Sequence, residues 1–536
     1  MNFKQRSSSV PRTAVPPSSA TASQQIGLAG PKKLAVLVVH GMGQQIQFET
    51  MDAVAEGLTR YVALDKKGRV EEIRTATVRL GEEKLQRIEM DVPKPGQNST
   101  VEVHIYEGYW APVTQGKVTI RDVLAFFLRA GINGTRNAFA HFHRWIFGRT
   151  VSFGWRPWPA IWLVTALLFV LSLVAVNFIV TVLFADRVVG RMSGSGSGSA
   201  FSEDTFTALT TLVAVWVIAT AVLGAVLYLV HLAKPRLASN VDDKKLNALR
   251  IAWDGILTVV GWLLWIPLAL WIPATIALGL VLFGAVIGAL NVDAYGREFF
   301  KEHSVEIWAA LLIVSWFVRQ LLVQYPGDVA AYIASHTLDA FDEIRSEIKT
   351  RIGKVAKAIY GSNEYHGVVW VGHSLGSVVA YDALNALITD DELAGRTQGV
   401  VERTNLLLTF GSPLDKTAFI FASQWGNTTE TREAVSASFQ PLILDYARFR
   451  RIRWVNIYSR CDVISGHLRF YDVPEDEAKP DERLPVANKK DLAASTPLLA
   501  HVEYWNNRLL FREIYEGLMH GEAMVTQPTQ AARSAR

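Results

Sequence analysis

Two long stretches without a charged residue constrain this chain more than any other feature of its sequence. They run from Pro159 to Ala185 and from Ala208 to Leu232. A helix needs about 20 apolar residues to cross a hydrocarbon core roughly 30 Å thick, and uncharged runs of this length are rare in soluble cores. Both stretches therefore predict membrane-spanning helices.

Two further apolar stretches follow them. Gly255–Asn291 contains two prolines, and Ile307–Val323 is apolar except near its end. The first is long enough for one tilted span or for a hairpin broken near Pro273, and the sequence leaves both open. The single-span interpretation gives four crossings in total, so we expect an all-α transmembrane block over residues 151–323.

Positive charge predicts the orientation of this block. Basic residues flank the first two spans on their outer sides: Arg144, Arg149, Arg156, Lys234, Arg236, Lys244, Lys245 and Arg250. The loop between these spans has only two arginines, three acidic residues and a flexible Ser/Gly run. Because cytoplasmic loops carry the excess of Lys and Arg, we expect a multi-pass integral membrane protein whose flanking regions face the cytoplasm.

The rest of the chain divides into two tails and two pieces of a globular domain. Residues 1–31 and 521–536 are predicted to be disordered or flexible, because their polar composition cannot bury enough surface. Residues 1–31 also lack the apolar core of a secretory signal. Residues 32–150 and 324–520 should form the domain. Within the first piece, the aromatic and arginine pattern of 122–149 indicates an interfacial helix or an amphipathic helix packed on a core.

Short apolar runs in both pieces are typical of buried strands. They lie at 34–39, 368–371, 405–410 and 452–458. Helical patterns alternate with them, as at Phe48–Leu64 and within 325–360, and a hairpin is expected after the turn at Pro93–Gly96. The alternation predicts an α/β fold, with a mostly parallel sheet and helices on both faces.

One motif in the second piece carries chemistry. Gly372–Gly376 reads G-x-S-x-G, directly after an apolar strand and before a helical run. That context is the one a nucleophile elbow requires, so Ser374 is the candidate nucleophile. The amide of Leu375 and an amide of the loop after the first strand, Met42 or alternatively Gly41, would form the oxyanion hole.

A serine needs a base that a third group holds in place. Asp462 follows the last apolar strand and His501 comes late in the chain, which gives the order Ser, Asp, His. Asp415 is a rival for the acid and His467 for the base, although His467 is close to Asp462 in sequence. We interpret His373 and His40 as structural.

Taken together, the HG-x-G-Q loop, the G-H-S-L-G-S elbow, the segment Phe410–Leu414, Asp462 and His501 resemble α/β-hydrolase lipases and esterases. The resemblance covers about residues 32–115 and 325–520. It implies an α/β-hydrolase-type sheet and hydrolysis of an ester, thioester or amide through an acyl-enzyme. The transmembrane block between the two pieces departs from typical relatives and points to a lipid acyl ester as substrate.

Two alternatives stay open: a non-catalytic membrane scaffold or transport component with a vestigial hydrolase domain, and an esterase or thioesterase acting on soluble acyl substrates. Other classes find little support. The single cysteine, Cys461, excludes an intrachain disulfide and a cysteine-clustered zinc site. A net charge of +4 without a basic stripe gives no sign of nucleic-acid binding. We expect no cofactor and no metal, and we expect the membrane and an acyl ester as partners.

Overall fold

The computed structural model describes residues 33–114, 117, 142–153, 203–233, 253–286, 339–471 and 486–526, except for 43–44, 65–69, 71, 98, 254, 262, 424–429, 445–451 and 498. The predicted spans Pro159–Ala185 and Ile307–Val323 and the tail 1–31 lie outside the described residues.

The described part of the chain contains one large mixed sheet and one small hairpin. The large sheet has eight strands in the order β10-β9-β8-β7-β1-β4-β3-β2. Their bounds are β1 Lys33–Val39, β2 Ile73–Leu80, β3 Glu83–Pro93, β4 Thr100–Gly108, β7 Tyr365–His373, β8 Thr404–Phe410, β9 Arg453–Tyr458 and β10 Ala487–Lys490. In this order, every neighbouring pair from β10 across to β4 is parallel. β3 runs antiparallel to both of its neighbours, β2 and β4. The hairpin consists of β5 Phe142–Ile146 and β6 Arg149–Phe153.

Helices cover both faces of the large sheet. The described helices are α1 Glu49–Leu64, α2 Ala111–Thr114, α3 Glu203–Ala233, α4 Trp265–Val286, α5 Asp339–Gly361, α6 Leu375–Leu393, α7 Val400–Arg403, α8 Leu414–Ser423, α9 Glu430–Ser438, α10 Pro441–Leu444, α11 Ala500–Glu503 and α12 Arg508–Thr526. Successive residues of a strand point to opposite faces. Leu34, Val36 and Val38 accordingly pack under α1 and α12. Their neighbours Ala35, Leu37 and Val39 pack under α5 and α6.

The two pieces of the domain meet in the middle of this sheet. β1 from the first piece pairs in parallel with β7 from the second, with Leu37 opposite Trp370. The predicted α/β class, with a mostly parallel sheet and helices on both faces, is therefore confirmed. Each of the four apolar runs forms a strand, and the hairpin expected after Pro93–Gly96 is the β3–β4 pair.

Two local predictions are wrong. The described part of segment 122–149 is not a helix, because Phe142–Phe153 forms the β5–β6 hairpin. Its burial alternates, with Arg144 and Ile146 buried and His143 exposed, as expected of a strand with one covered face. Arg144 donates to the carbonyl of Phe470 and fastens the hairpin to the domain. The tail predicted at 521–536 begins too early, since α12 continues to Thr526.

One described helix is long and apolar enough to cross a membrane. It is the part of α3 from Thr211 to Ala233, with a mean hydropathy of 2.5. The described part of the stretch Gly255–Asn291 includes α4, which continues through Pro273, so the alternative of a hairpin broken near this proline is not found. The two helices pack through paired polar contacts: Trp216 Nε1 donates to Thr275 Oγ1 at 2.8 Å, and Trp271 Nε1 donates to Thr220 Oγ1 at 2.9 Å.

Candidate active site

Ser374 lies on a strained turn between β7 and α6. Its φ of 53° and ψ of −130° place it in a region that residues with a side chain rarely adopt. The backbone is packed so closely here that only glycine fits on either side. A Cβ added to Gly372 would lie 2.6 Å from Ser377 Cα, and one added to Gly376 would lie 2.1 Å from the carbonyl oxygen of His40. Both glycines of the motif therefore have a steric reason: Gly372 is packed against the turn itself and Gly376 against the end of β1.

His501 and Asp462 form a hydrogen-bonded pair. His501 Nδ1, from α11, lies 2.9 Å from Asp462 Oδ2, from the loop after β9. A carboxylate can only accept, so Nδ1 carries the hydrogen and Nε2 is left with a lone pair. Asp462 also accepts from the hydroxyl of Tyr504 at 3.0 Å and from the amide of Ile464 at 2.8 Å. These donors fix the orientation of the carboxylate and, through it, the tautomer of the imidazole.

The Asp462 carboxyl is held in its charged form. Burial on its own would raise its pKa, but the charge and hydrogen bond of His501, the Ile464 amide and the nearby Lys416 ammonium outweigh burial and place the pKa below its ordinary value. A charged carboxylate behind Nδ1 stabilises the imidazolium that forms when Nε2 takes up a proton.

Ser374 Oγ and His501 Nε2 are buried polar atoms with no hydrogen-bond partner among the described residues. Buried polar atoms are nearly always paired, and exceptions are often catalytic. Contacts of Phe410 and Gly411 show how close the turn that carries Ser374 lies to the segment that carries His501. The Ser374 amide bonds the carbonyl of Phe410 at 3.0 Å, and a Cβ on the next residue, Gly411, would lie 3.1 Å from His501 Cε1. A nucleophile and its base commonly tighten their contact only when substrate binds.

The loop after β1 approaches the same serine. β1 and β7 are neighbours, so their carboxyl ends lie at one edge, and a Cβ added to Gly41 would lie 2.9 Å from Ser374 Cβ. Met42 follows as a buried residue. Leu375 begins α6, where the first amides of a helix lack partners within it. The structure thus brings Gly41 and Leu375 next to Ser374, with Met42 directly after Gly41, and the role of their amides as an oxyanion hole stays a prediction.

His40 holds this loop in shape. Its Nε2 accepts from the amides of Trp110 at 2.9 Å and Ala111 at 3.3 Å. Nδ1 must then carry the hydrogen, and it donates to the carbonyl of Gly41 at 2.8 Å. The ring stacks on Trp110 with 4.8 Å between centroids. Burial lowers the pKa of His40 to about 4, so the ring is neutral near pH 7. These contacts agree with the structural role predicted for His40.

The remaining histidine of the motif and the two rival residues are occupied elsewhere. His373 donates from Nε2 to the carbonyl of His501 at 3.1 Å, and burial lowers its pKa to about 3. Asp415 Oδ1 accepts from the amides of Arg469 and Phe470. The ring of His467 lies against Tyr458, with 5.8 Å between centroids. The structure therefore pairs Asp462 with His501 rather than with His467.

Sequence reasoning missed two residues that support the pair. Tyr504 stands one helical turn after His501, a spacing that could have indicated its contact with Asp462. Lys416 gave no such signal. Its Nζ donates to the carbonyls of Val463, Ile464 and Ser465, the last two at 2.8 and 3.3 Å, and so fixes the loop directly after Asp462. Burial lowers the pKa of Lys416 to about 8.

No family model, curated protein or solved structure matches the chain. The interpretation of the site therefore depends on its own geometry.

Proposed function

We propose that the chain is a membrane-anchored serine hydrolase that cleaves carboxylic esters, with lipid acyl esters as its substrates. Ser374 Oγ attacks the acyl carbonyl while His501 Nε2 takes its proton and returns it to the leaving alcohol. Asp462 holds the imidazole, and the amides of Leu375 and Met42, with Gly41 as the alternate, stabilise the oxyanion. Water then hydrolyses the acyl-enzyme, with His501 again as base. This sequence of steps uses no cofactor and no metal.

The observation that carries the proposal is the arrangement of donors around His501. The Nδ1 bond to Asp462 leaves Nε2 as a buried, unpartnered acceptor, at the edge of the sheet where the Ser374 hydroxyl is also buried and unpartnered. A histidine or serine with a purely structural role at this depth would be expected to have its side-chain polar atoms hydrogen-bonded. This argues against the vestigial domain of a non-catalytic scaffold.

The membrane anchor is supported by the surface of α3. Val215, Ile218, Val222 and Leu229 are each more than half exposed along this helix. A contiguous apolar surface of this kind is unusual on a soluble monomer and is typical of a lipid-facing or partner-binding face. It supports α3 as a membrane span, while the multi-pass arrangement and the cytoplasmic side of the hydrolase domain are proposed from the uncharged stretches and the basic residues that flank them. A lipid ester of the same membrane is then the most accessible substrate.

A fluorophosphonate probe, which reacts only with an activated serine, tests the enzyme against the scaffold. Labelling should disappear in Ser374→Ala. It should persist in Ser377→Ala, because Ser377 Oγ lies 2.5 Å from the Ser374 carbonyl and 2.6 Å from Ser412 Oγ and is used structurally. An unlabelled wild-type protein, or equal labelling of Ser374→Ala, would contradict the proposal.

Kinetics of the triad variants give the first quantitative prediction. Ser374→Ala or His501→Ala should lower kcat by about 10⁴-fold or more, as in serine hydrolases generally. Asp462→Asn should lower kcat by less than either of these substitutions, because the base remains. His467→Ala is the matched control and should turn over normally. Normal turnover in His501→Ala combined with loss in His467→Ala would move the base to His467.

The substrate class is tested separately. Turnover of a phospholipid in vesicles is compared with that of a short p-nitrophenyl ester in the same preparation. Efficient hydrolysis of the soluble ester alone would favour the alternative of a soluble acyl substrate.

A further inference from the structure

We propose that the edge of the sheet carrying Ser374 is a membrane-docking surface, and that the substrate lipid enters the site from the leaflet on which this edge rests. The inference rests on the proposed function and adds the surface, its partner and the route of the substrate. We call the five exposed apolar residues of this edge the docking rim: Ile46, Phe48, Val463, Leu492 and Val502.

The first observation is where α3 ends. His231, in its last turn, has Nδ1 3.5 Å from Glu503 Oε1. Glu503 belongs to α11 and comes two residues after His501 in the chain. A helix that crosses a bilayer must end near the membrane surface, because its polar flanks cannot enter the hydrocarbon. The contact therefore places the base His501 close to that surface.

The segment before α4 makes a second contact with the same region. A Cβ added to Gly261 would lie 2.8 Å from Ser495 Oγ and 2.9 Å from the Ser495 carbonyl oxygen. The amide of Ser495 in turn bonds Glu503 Oε2 at 2.9 Å. The ends of both apolar helices thus converge on residues 495–503, the stretch that carries the base. The membrane helices and the site share one end of the molecule.

The docking rim lies at this same end. Ile46 and Phe48 follow the carboxyl end of β1, Val463 follows β9, and Leu492 follows β10. Because these strands are parallel, their carboxyl ends lie at one edge. Ile46 is 72% exposed and Leu492 is 58% exposed, although both are large apolar residues. Exposed apolar side chains beside a membrane anchor have an available partner, which is the boundary between head groups and acyl chains.

Basic residues at this edge fit an anionic leaflet. Arg460 is exposed just after β9, and Lys490 ends β10. Basic side chains interleaved with apolar ones are the composition of surfaces that lie on anionic lipid. This commits the rim to a lipid surface rather than to a protein partner.

The test places a fluorophore on the rim of the full chain in nanodiscs that contain anionic and nitroxide-labelled lipids. Ile46→Cys and Leu492→Cys carry the label at the rim. Ile73→Cys and Leu393→Cys are matched controls at the opposite edge, since Ile73 begins β2, which runs parallel to β4, and Leu393 ends α6, which begins beside Ser374. The native Cys461 is buried, so labelled wild type gives the background.

We expect the nitroxide lipids to quench the label several-fold more at positions 46 and 492 than at 73 and 393. Equal quenching at all four positions, or none at 46 and 492, would overturn the docking surface. Fluorophosphonate labelling of the same samples reports on the hydrolase independently. Labelling without rim quenching leaves the proposed enzyme intact and removes only this inference, whereas an unlabelled protein contradicts the enzyme itself.

A second measurement tests the route of the substrate. Leu492→Asp should lower turnover of a lipid ester in nanodiscs several-fold and leave turnover of a soluble short ester unchanged. Leu393→Asp should change neither. Equal loss on both substrates in Leu492→Asp would show damage to the site itself and would count against the lipid route.

Discussion

At the scale of single residues, the site depends on how closely the backbone at the end of β1 approaches the start of α6. The carbonyls of Val39 and His40, at the end of β1, lie 2.4 and 2.1 Å from where a side chain on Gly376 would begin. Real Cβ atoms do not approach backbone oxygens this closely, so any residue larger than glycine must push α6 away from β1. The loop proposed to form the oxyanion hole and the helix that follows Ser374 can therefore pack this closely only because residue 376 is glycine.

Gly376→Ala should consequently abolish fluorophosphonate labelling and lower the stability of the fold, since the strain cannot be relieved by a side-chain rotation. Gly353→Ala is the matched control. Gly353 lies inside α5 with nothing within 4 Å of an added Cβ. In a helix interior, this exchange should stabilise by about 0.5–1 kcal/mol and leave labelling intact. Thermal unfolding and labelling of both variants check the prediction, and a labelled Gly376→Ala would contradict it.

His40 makes stability depend on pH in a direction that its pKa fixes. Burial lowers the pKa from 6.5 to about 4, so the unfolded chain takes up a proton before the folded protein does. The stabilisation that neutral His40 contributes is fully present above its pKa in the unfolded chain, about 6.5. It is lost as the pH falls from there to about 4, by on the order of 3 kcal/mol. His373, with a pKa of about 3, adds a loss of the same sign.

The measurement is the Tm of detergent-solubilised protein between pH 4 and 7.5. His40→Asn keeps a donor and an acceptor but cannot titrate, so it should lower the Tm at neutral pH and flatten its pH dependence. His143→Asn, at an exposed histidine, should leave the curve unchanged. If His40→Asn and wild type have the same slope, His40 is not the titrating group.

The same scale shows what sequence could and could not reveal of the site. Ser374, Asp462 and His501 follow from chain order and from the ends of strands, which the sequence records. Lys416 and Tyr504 act through contacts between segments far apart in the chain, Lys416 with the carbonyls of 463–465 and Tyr504 with Asp462. For Lys416 no local pattern encodes these contacts, because they depend on where the loops meet in space, whereas Tyr504 at least stands one helical turn after His501.

At the scale of elements, burial on both faces decides which strands can be predicted. β1, β7 and β8 lie in the middle of the sheet between two layers of helices, so they read as continuous apolar runs. β10, with the sequence Ala-Asn-Lys-Lys, and β2 lie at the two edges and are only partly buried. Their positions in the sheet depend on backbone hydrogen bonds to a neighbouring strand, which form with any side chain. Their sequences therefore give no signal that predicts a strand.

The loop after β9 is held by an element on its other side. Lys416 of α8 donates to three consecutive carbonyls of this loop, whose first residues include Asp462. We expect Lys416→Met to lower kcat by about tenfold or more with little change in KM, because Lys416 positions the acid without touching substrate. Lys357→Met, which removes an exposed ion pair with Asp390, should leave both constants unchanged.

A pH profile separates positioning from a general loss of stability. The pKa of Lys416 is about 8, so its amine loses the proton, and the charge near Asp462, as the pH rises through this value. Wild-type kcat should decline above pH 8, and Lys416→Met should lack this decline. A variant with normal kcat and a raised KM would place Lys416 in substrate binding instead.

At the scale of the whole molecule, the pairing of β1 with β7 constrains any path by which the chain could cross a membrane. Residues 33–114 and 339–526 contribute to one sheet, so both must lie on the same side of the bilayer. The number of crossings between them is therefore even. The contact between His231 and Glu503 places the carboxyl end of α3 on the side of the domain. If α3 crosses, its first residues lie on the far side, and an earlier span must have brought the chain there.

Under the proposed arrangement, the uncharged stretch Pro159–Ala185 would be that earlier span and the apolar stretch Ile307–Val323 a returning span. The proposal of four crossings counts the stretch that contains α4 once, and α4 continues through Pro273 without the break that a hairpin would need. Lys234 and Arg236 follow α3 in the sequence, and by the positive-inside rule they favour the cytoplasm for the side on which α3 ends, as proposed. The Ser/Gly run at 193–199, between the first two spans, should accordingly lie outside.

Reporter fusions test this topology. A reporter that is active only in the cytoplasm should work when it is joined through a linker to Arg536, and it should be silent when inserted at Ser197. A reporter that is active only outside should give the opposite result at both positions, which controls for failed insertion. Cytoplasmic activity at both sites would show that no span separates residue 197 from the domain. Cytoplasmic activity at Ser197 alone would invert the orientation and place the Ser374 edge on the outer leaflet.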